Sequence, residues 1–267
     1  MRCIRVLPLI VLALAGVASA HETYFAPPPV ARVGTPVVLS LSSGMGFPGL
    51  GSGPKASRVA QLSARNGTLI QPVEIKGITA AALRIALTPE RAGLMAVTID
   101  LASMPIELSP AKVAEYFAEI EPSAAVRAAY ENQPAPRRWN ELYAKHAKLL
   151  LCVAPCLDTV AATTPAGQRL EFVAQDSSLR RFVLLENGKP RAGQLVELLG
   201  QGKPQRLRTG SDGILSLPDA AKGDLLLILE AMKMEFRLQA PVAGTVELVT
   251  ASAGAQVGLR QLLVQIT

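Results

Sequence analysis

Five short apolar segments follow one another between positions 30 and 103, separated by turn residues. They read PVVLSL, RVAQLSA, TLIQPVEI, AALRIAL and LMAVTIDL, with Gly, Pro, Asn-Gly and Ser clusters between them. Short strands at regular spacing are typical of antiparallel sandwiches. The sequence therefore predicts a mainly β protein whose first β-sandwich unit occupies residues 21–105.

The pattern changes after Pro105, where Ser109-Pro110 predicts a helix that begins with an N-cap serine and a first-turn proline. Further along, six residues fall at i, i+3, i+4, i+7, i+10 and i+11, the spacing of one apolar helix face: Trp139, Leu142, Tyr143, His146, Leu149 and Leu150. Residues 106–162 are therefore predicted to form a helical insertion, with His146 on its apolar face.

Strand patterns resume at about Gln168 with LEFVA, RFVLLENGKP, QLVELL, QRLRTGSDGILSL and DLLLILE. Asn187-Gly188 and Asp212-Gly213 predict hairpin turns, because both pairs tolerate positive φ. We expect a second antiparallel sandwich unit over residues 163–229. Its core must be aliphatic, since aromatic residues make up only 4% of the chain.

The first twenty residues, MRCIRVLPLIVLALAGVASA, have the pattern of a secretory signal peptide. Arg2 and Arg5 precede a short apolar run that closes on Ala18-Ser19-Ala20, a small-residue cleavage site. Cleavage there predicts a mature chain that begins at His21 and resides in the periplasm or is secreted. No later stretch is long and apolar enough to predict a membrane-spanning helix.

Charge and motif content argue against two broad function classes. The formal net charge is +6, but the basic residues are scattered, whereas nucleic-acid binders usually concentrate them on one face. The sequence contains no Gly-x-Ser-x-Gly elbow and no His-Glu-x-x-His pair. We expect a non-enzymatic protein without catalytic residues and without a nucleic-acid partner.

Four residues of the predicted mature chain are candidates for metal or disulfide chemistry. His21 would offer an α-amino nitrogen and an imidazole to one metal, and nitrogen ligands favour nickel, cobalt, copper or zinc. His146 is a second metal-ligand candidate, although a histidine on an apolar face is more often a core residue. Cys152 and Cys156 form either a local disulfide or a pair of packed thiols.

Most of the chain resembles an uncharacterised periplasmic family labelled as cobalt or nickel uptake components. The resemblance rests on HETYF, YAKHAK, GQRLEFVAQ, NGKPRAG and TGSDG, and it covers residues 21–229. It implies two immunoglobulin-like or prealbumin-like sandwich units joined by the helical insertion. It further implies a transition-metal binding or uptake accessory whose partner is a metal transporter or another envelope protein.

The C-terminal segment resembles a different family, the biotin carboxyl carrier domain of acyl-CoA carboxylases. The shared motifs are AMKM, APVAGTV, AGAQV and a final LLVQI strand, within residues 223–267. The resemblance implies that Lys233 accepts biotin at a hairpin tip and that carboxylase subunits are partners. Because one hairpin of the family is missing before AMKM, residues 230–267 are a half biotinyl-like β segment, with a junction near Leu229.

Three functions therefore stay open. The chain is an exported metal-binding accessory, a biotin carrier modified at Lys233, or a β-sandwich module that binds another protein through its sheet edges. The signal pattern favours the first function, and the AMKM motif alone favours the second.

Overall fold

The computed structural model describes residues 22–28, 31–199, 204–218, 225–231, 234–239, 243–244, 246–249 and 264–266. Within these ranges the chain divides into two compact units. Glu107–Trp139 form the smaller unit, and the described residues of His21–Ile106 and Asn140–Thr267 form the larger one.

Two sheets of the larger unit are built from the first nine strands. These are β1 (Glu22–Phe25), β2 (Ala31–Arg32), β3 (Val37–Gly44), β4 (Val59–Asn66), β5 (Leu69–Gln71), β6 (Glu74–Ile78), β7 (Leu83–Leu87), β8 (Gly93–Leu108) and β9 (Trp139–Ala154). One sheet has the antiparallel order β1-β3-β7-β6. The other has the order β2-β9-β8-β4-β5, in which only the short β2 is shown parallel to its neighbour β9.

A single apolar core joins these two sheets. Leu39 and Leu41 of β3 pack in the same cluster as Val97 and Ile99 of β8, and all four are almost fully buried. Val38, between the two leucines, is exposed, because successive strand residues point to opposite faces. The predicted mainly β fold with a sandwich core is confirmed here.

The smaller unit contains two helices, α1 (Pro110–Ile120) and α2 (Ala124–Glu131). Pro110 is the first residue of α1 and follows Ser109 directly, as the sequence predicts. Glu121, the C-cap residue after Ile120, has a φ of 45°. Ser123 caps α2 by accepting a hydrogen bond from the Val126 amide. Phe117 packs edge-on against Tyr130 and Trp139, with ring centroids 5.4 and 4.9 Å apart, so this unit has its own aromatic core.

The helix predicted over residues 139–150 is wrong, because this segment is the sixteen-residue strand β9. Ala147, Leu151 and Val153 face the core of the first two sheets, while Leu150 and Cys152 pack on a second apolar cluster. Since both faces of β9 are covered, its apolar residues follow one another without alternation and mimic a helix face. The predicted insertion over 106–162 is helical only in α1, α2 and the short α3 (Val160–Thr163).

A second group of antiparallel strands follows. These are β10 (Leu170–Ala174), β11 (Arg181–Glu186), β12 (Lys189–Pro190), β13 (Leu195–Leu198), β14 (Gln205–Arg208) and β15 (Ile214–Ser216). β11 lies between β10 and β12 and also pairs with β15, whereas β13 pairs with β14. Asn187 and Gly188 both have positive φ between β11 and β12, which confirms the predicted hairpin turn.

The C-terminal segment contributes four further strands: β16 (Leu225–Ala231), β17 (Met234–Gln239), β18 (Val246–Val249) and β19 (Val264–Ile266). β16 pairs with β17 and β18 with β19, both antiparallel. Among all described residues, no helix combines the length and the apolar character that crossing a membrane requires.

Candidate functional site

A cavity of about 520 Å³ lies in the larger unit. One wall comes from alternate residues of β9, namely Ala144, His146, Lys148 and Leu150. The opposite wall comes from alternate residues of β10 and β11, namely Leu170, Phe172, Phe182 and Leu184. Glu22, Thr23, Lys145, Gln168 and Glu171 complete the lining. The cavity therefore has one largely apolar wall and one wall that carries cationic and imidazole groups.

The sequence identifies His146 but not its partners. Its Nδ1 lies 2.7 Å from Asp100 Oδ1, and both side chains are mostly buried. An ionised carboxylate can only accept, so Nδ1 carries the proton in this contact. The Gln168 amide donates to the same Asp100 oxygen at 2.7 Å and to the carbonyls of Ile99 and Ala147. This network fixes the imidazole ring against the cavity wall.

Lys148 forms a second polar contact on the same face of β9. Its Nζ donates to Glu171 Oε2 and to the Phe172 carbonyl, each at 2.9 Å. The amides of Ala166 and Gly167 also donate to the Glu171 carboxylate. Only 11% of the Lys148 side chain and 2% of the Glu171 side chain are exposed. The sequence does not predict the Lys148–Glu171 pair. It would place Lys148 on the same face as His146 only if β9 were recognised as a strand.

Lys145, which also lines the cavity, has a perturbed pKa. Burial lowers the pKa of the Lys145 ammonium below its usual range, and the positive charge of Arg58 lowers it further. The Glu22 carboxylate opposes the shift but does not cancel it. Burial and a like charge both destabilise the protonated ammonium, and an anion nearby would relieve the repulsion.

The structure describes only one of the two predicted metal ligands, His146. His21 lies outside the described residues, although its chain neighbour Glu22 lines the cavity together with His146. Among the residues that the structure describes, no group of three or more His, Cys, Asp or Glu side chains is placed to hold a metal ion. Metal binding by His21 and His146 therefore stays a prediction.

The two cysteines lie where β9 ends. The sulfur atoms of Cys152 and Cys156 are within bonding distance, and their Cα atoms are 5.4 Å apart, within the usual range for a disulfide. Both side chains pack against the second apolar cluster with Leu94, Ala162 and Ala174. Of the two alternatives that the sequence leaves open, the structure contains the Cys152–Cys156 disulfide.

The strands β16 and β17 flank the predicted biotin acceptor and pair antiparallel. Leu229 pairs with Phe236, Glu230 with Glu235, and Ala231 with Met234. Met232 and Lys233, the predicted biotin acceptor, are the two positions between these strands in the sequence, and both lie outside the described residues.

Comparison with known families gives a match for the C-terminal segment, which contains β16 and β17. Residues 219–266 match a biotin/lipoyl family. The description of that family is biotin-requiring enzyme, and its domain is a carrier and not itself catalytic. The match supports the biotinyl-like segment and begins only a few residues before β16. The comparisons give no support to the cobalt or nickel uptake resemblance over residues 21–229.

No curated protein matches the chain significantly, and no solved structure does so either.

Proposed function

We propose that the chain is a non-enzymatic carrier in which the biotinyl-like segment presents Lys233 for biotinylation. The family match over residues 219–266 is the observation that carries this proposal. The pairing of Ala231 with Met234 adds to it, because a tight hairpin would expose the intervening lysine to a ligase. Carboxylase subunits would be the partners, and the carboxylation chemistry would be theirs.

Intact mass spectrometry after cytoplasmic expression beside a biotin ligase tests the proposal. We expect the mass to rise by one biotinyl group when biotin is supplied. Lys233→Arg should abolish the increase, because the guanidinium does not form the amide. Lys189→Arg is the matched control, since Lys189 is an exposed lysine of β12 and should leave biotinylation unchanged. An unmodified wild-type chain would overturn the proposal.

A second candidate is an exported accessory that binds nickel, cobalt, copper or zinc through His21. The observation that favours it is that Glu22, the residue after His21, lines the same cavity as His146. A free amino group and an imidazole on one residue form a chelate ring with such metals. In this proposal residues 1–20 are removed, and the mature protein resides in the periplasm or is secreted.

Nickel titration of a protein that begins at His21 tests this candidate. We expect one equivalent to bind, about tenfold weaker binding in His21→Ala, and a smaller loss in His146→Ala, because His146 already contacts Asp100. Lys189→Ala serves as the control. Absence of stoichiometric binding of nickel, cobalt, copper and zinc would refute the candidate.

A further inference from the structure

We propose that the cavity between β9 and the β10–β11 pair binds a small apolar carboxylate. Its volume of about 520 Å³ falls within the range of pockets that enclose small molecules, which is about 300–1,000 Å³. The inference is independent of the biotin carrier, since it uses no residue of the biotinyl-like segment, but it is an alternative to metal binding, since both would use His146 and the same cavity.

The apolar wall follows from strand alternation and register. Phe172 of β10 lies directly opposite Leu184 of β11, and Ala174 lies opposite Phe182. Leu170 is two residues before Phe172 and therefore shares its face. Leu170 is 39% exposed, which places it where the cavity meets solvent. An aliphatic chain or an aromatic ring would be removed from water against these side chains.

The opposite wall supplies the groups that would hold a carboxylate. Two of the three Lys148 N–H donors are used, by Glu171 and by the Phe172 carbonyl. His146 donates its Nδ1–H to Asp100, so the remaining ring nitrogen Nε2 is an acceptor, and the third N–H of Lys148 is the donor left for a carboxylate. The Lys148 ammonium would form a charge-assisted hydrogen bond with a carboxylate, and such a bond is about twice as strong as a neutral one.

The acidic groups of the lining do not favour a cation in the same place. Glu171 already accepts from two backbone amides and from Lys148, and its side chain is almost fully buried. Asp100 Oδ1 likewise accepts from His146 and from the Gln168 amide. A positively charged ligand would therefore meet occupied acceptors and the Lys148 ammonium, whereas a carboxylate would meet the remaining Lys148 donor.

Calorimetric titration with octanoate tests this inference on the full chain. Octylammonium and octanol are the comparison probes, because they share the aliphatic chain and differ in charge. The buffer contains a chelator, so that metal binding plays no part. We expect one octanoate to bind, about tenfold more tightly than octylammonium and octanol. Equal affinity for octanoate and octylammonium, or no octanoate binding, would overturn the inference.

Two substitutions locate the binding site. Leu170→Asp should weaken octanoate binding by about tenfold, because it places a negative charge at the cavity mouth. Leu170→Asn has nearly the same shape without the charge and should retain most of the affinity. Since position 170 is partly exposed, circular dichroism should show both variants folded. Octanoate binding that is the same in Leu170→Asp and Leu170→Asn would place the ligand elsewhere and refute the assignment.

Discussion

At the scale of single residues, the structure separates a buried ion pair from exposed ones of similar length. Lys148 and Glu171 are 2.9 Å apart and almost excluded from solvent. Lys76 and Glu74 are 2.6 Å apart, but 52% and 66% of their side chains are exposed. Burial decides the energetic difference, because a buried charge that loses its partner has no water to replace it. An exposed charge remains hydrated when its partner is removed.

Lys148→Met should therefore lower the free energy of unfolding by about 3–5 kcal/mol, because it leaves the Glu171 carboxylate buried without its cation. Lys76→Met is the matched control, for which we expect a loss of about 0–1 kcal/mol. Urea denaturation of both variants measures the difference. Adding Glu171→Gln to Lys148→Met should recover part of the loss. Equal effects of the two single substitutions would contradict the role of burial.

Asp176 gives a test of the local turn before β11. Hydrogen bonds from the Ser178 side chain and then from its backbone amide lower the pKa of the Asp176 carboxyl below its usual range. A lowered folded-state pKa stabilises the fold above the unfolded pKa, and this contribution is lost as the pH falls through the folded pKa. Ser178→Ala should raise the pKa of Asp176, as carbon NMR titration would measure. An unchanged pKa would exclude the serine hydroxyl as the main cause.

At the scale of elements, β9 shows what the sequence predicts and what it does not. The α1 start at Ser109-Pro110 and the Asn187-Gly188 turn depend on local backbone preferences, so the sequence alone predicts them. The β9 strand depends on apolar partners on both of its faces, and those partners lie far away in the sequence. No local pattern contains that information, and the run of apolar residues has the spacing of a helix face instead.

The residues of the candidate site also differ in whether the sequence alone identifies them. The sequence identifies His146 as a candidate because histidine is rare in this chain and chemically distinctive. Asp100, which contacts it, and Gln168, which donates to the same Asp100 oxygen, are distant from it in the sequence and carry no motif. The cavity as a whole depends on β9 being a strand, since alternation is what puts His146, Lys148 and Leu150 on one wall. A helix over the same residues would have predicted a different set of neighbours.

Substitutions along β9 distinguish the strand from the predicted helix. Leu151 is 1% exposed in the core, so Leu151→Ala should lower the free energy of unfolding by about 2–5 kcal/mol. Leu142 is 69% exposed, so Leu142→Ala should change it by less than about 0.5 kcal/mol. In the predicted helix, Leu142 would lie on the buried face. A large loss in Leu142→Ala by thermal or urea denaturation would therefore favour the helix.

At the scale of the whole molecule, the two proposed functions require different compartments. Biotin ligase and ATP act in the cytoplasm, whereas a signal peptide would direct the unfolded chain outward. The carrier fold must form before a ligase can recognise the hairpin of β16 and β17. If the chain is both exported and biotinylated, as the two proposals require, the two processes compete for each newly made chain, and the faster one determines whether Lys233 is modified.

Blocking export should therefore increase biotinylation. Leu12→Arg places a charge in the apolar run of the predicted signal peptide, and we expect the retained chain to carry more biotin than the wild-type protein made beside the same ligase. Protein that begins at His21 should carry little or none. Intact mass spectrometry of the retained chain and of the protein that begins at His21 measures the biotin content of each, with Lys233→Arg as the unmodified reference. Biotin on protein that begins at His21, at the same occupancy as on the retained chain, would show that the ligase modifies Lys233 before export and that the two processes do not compete.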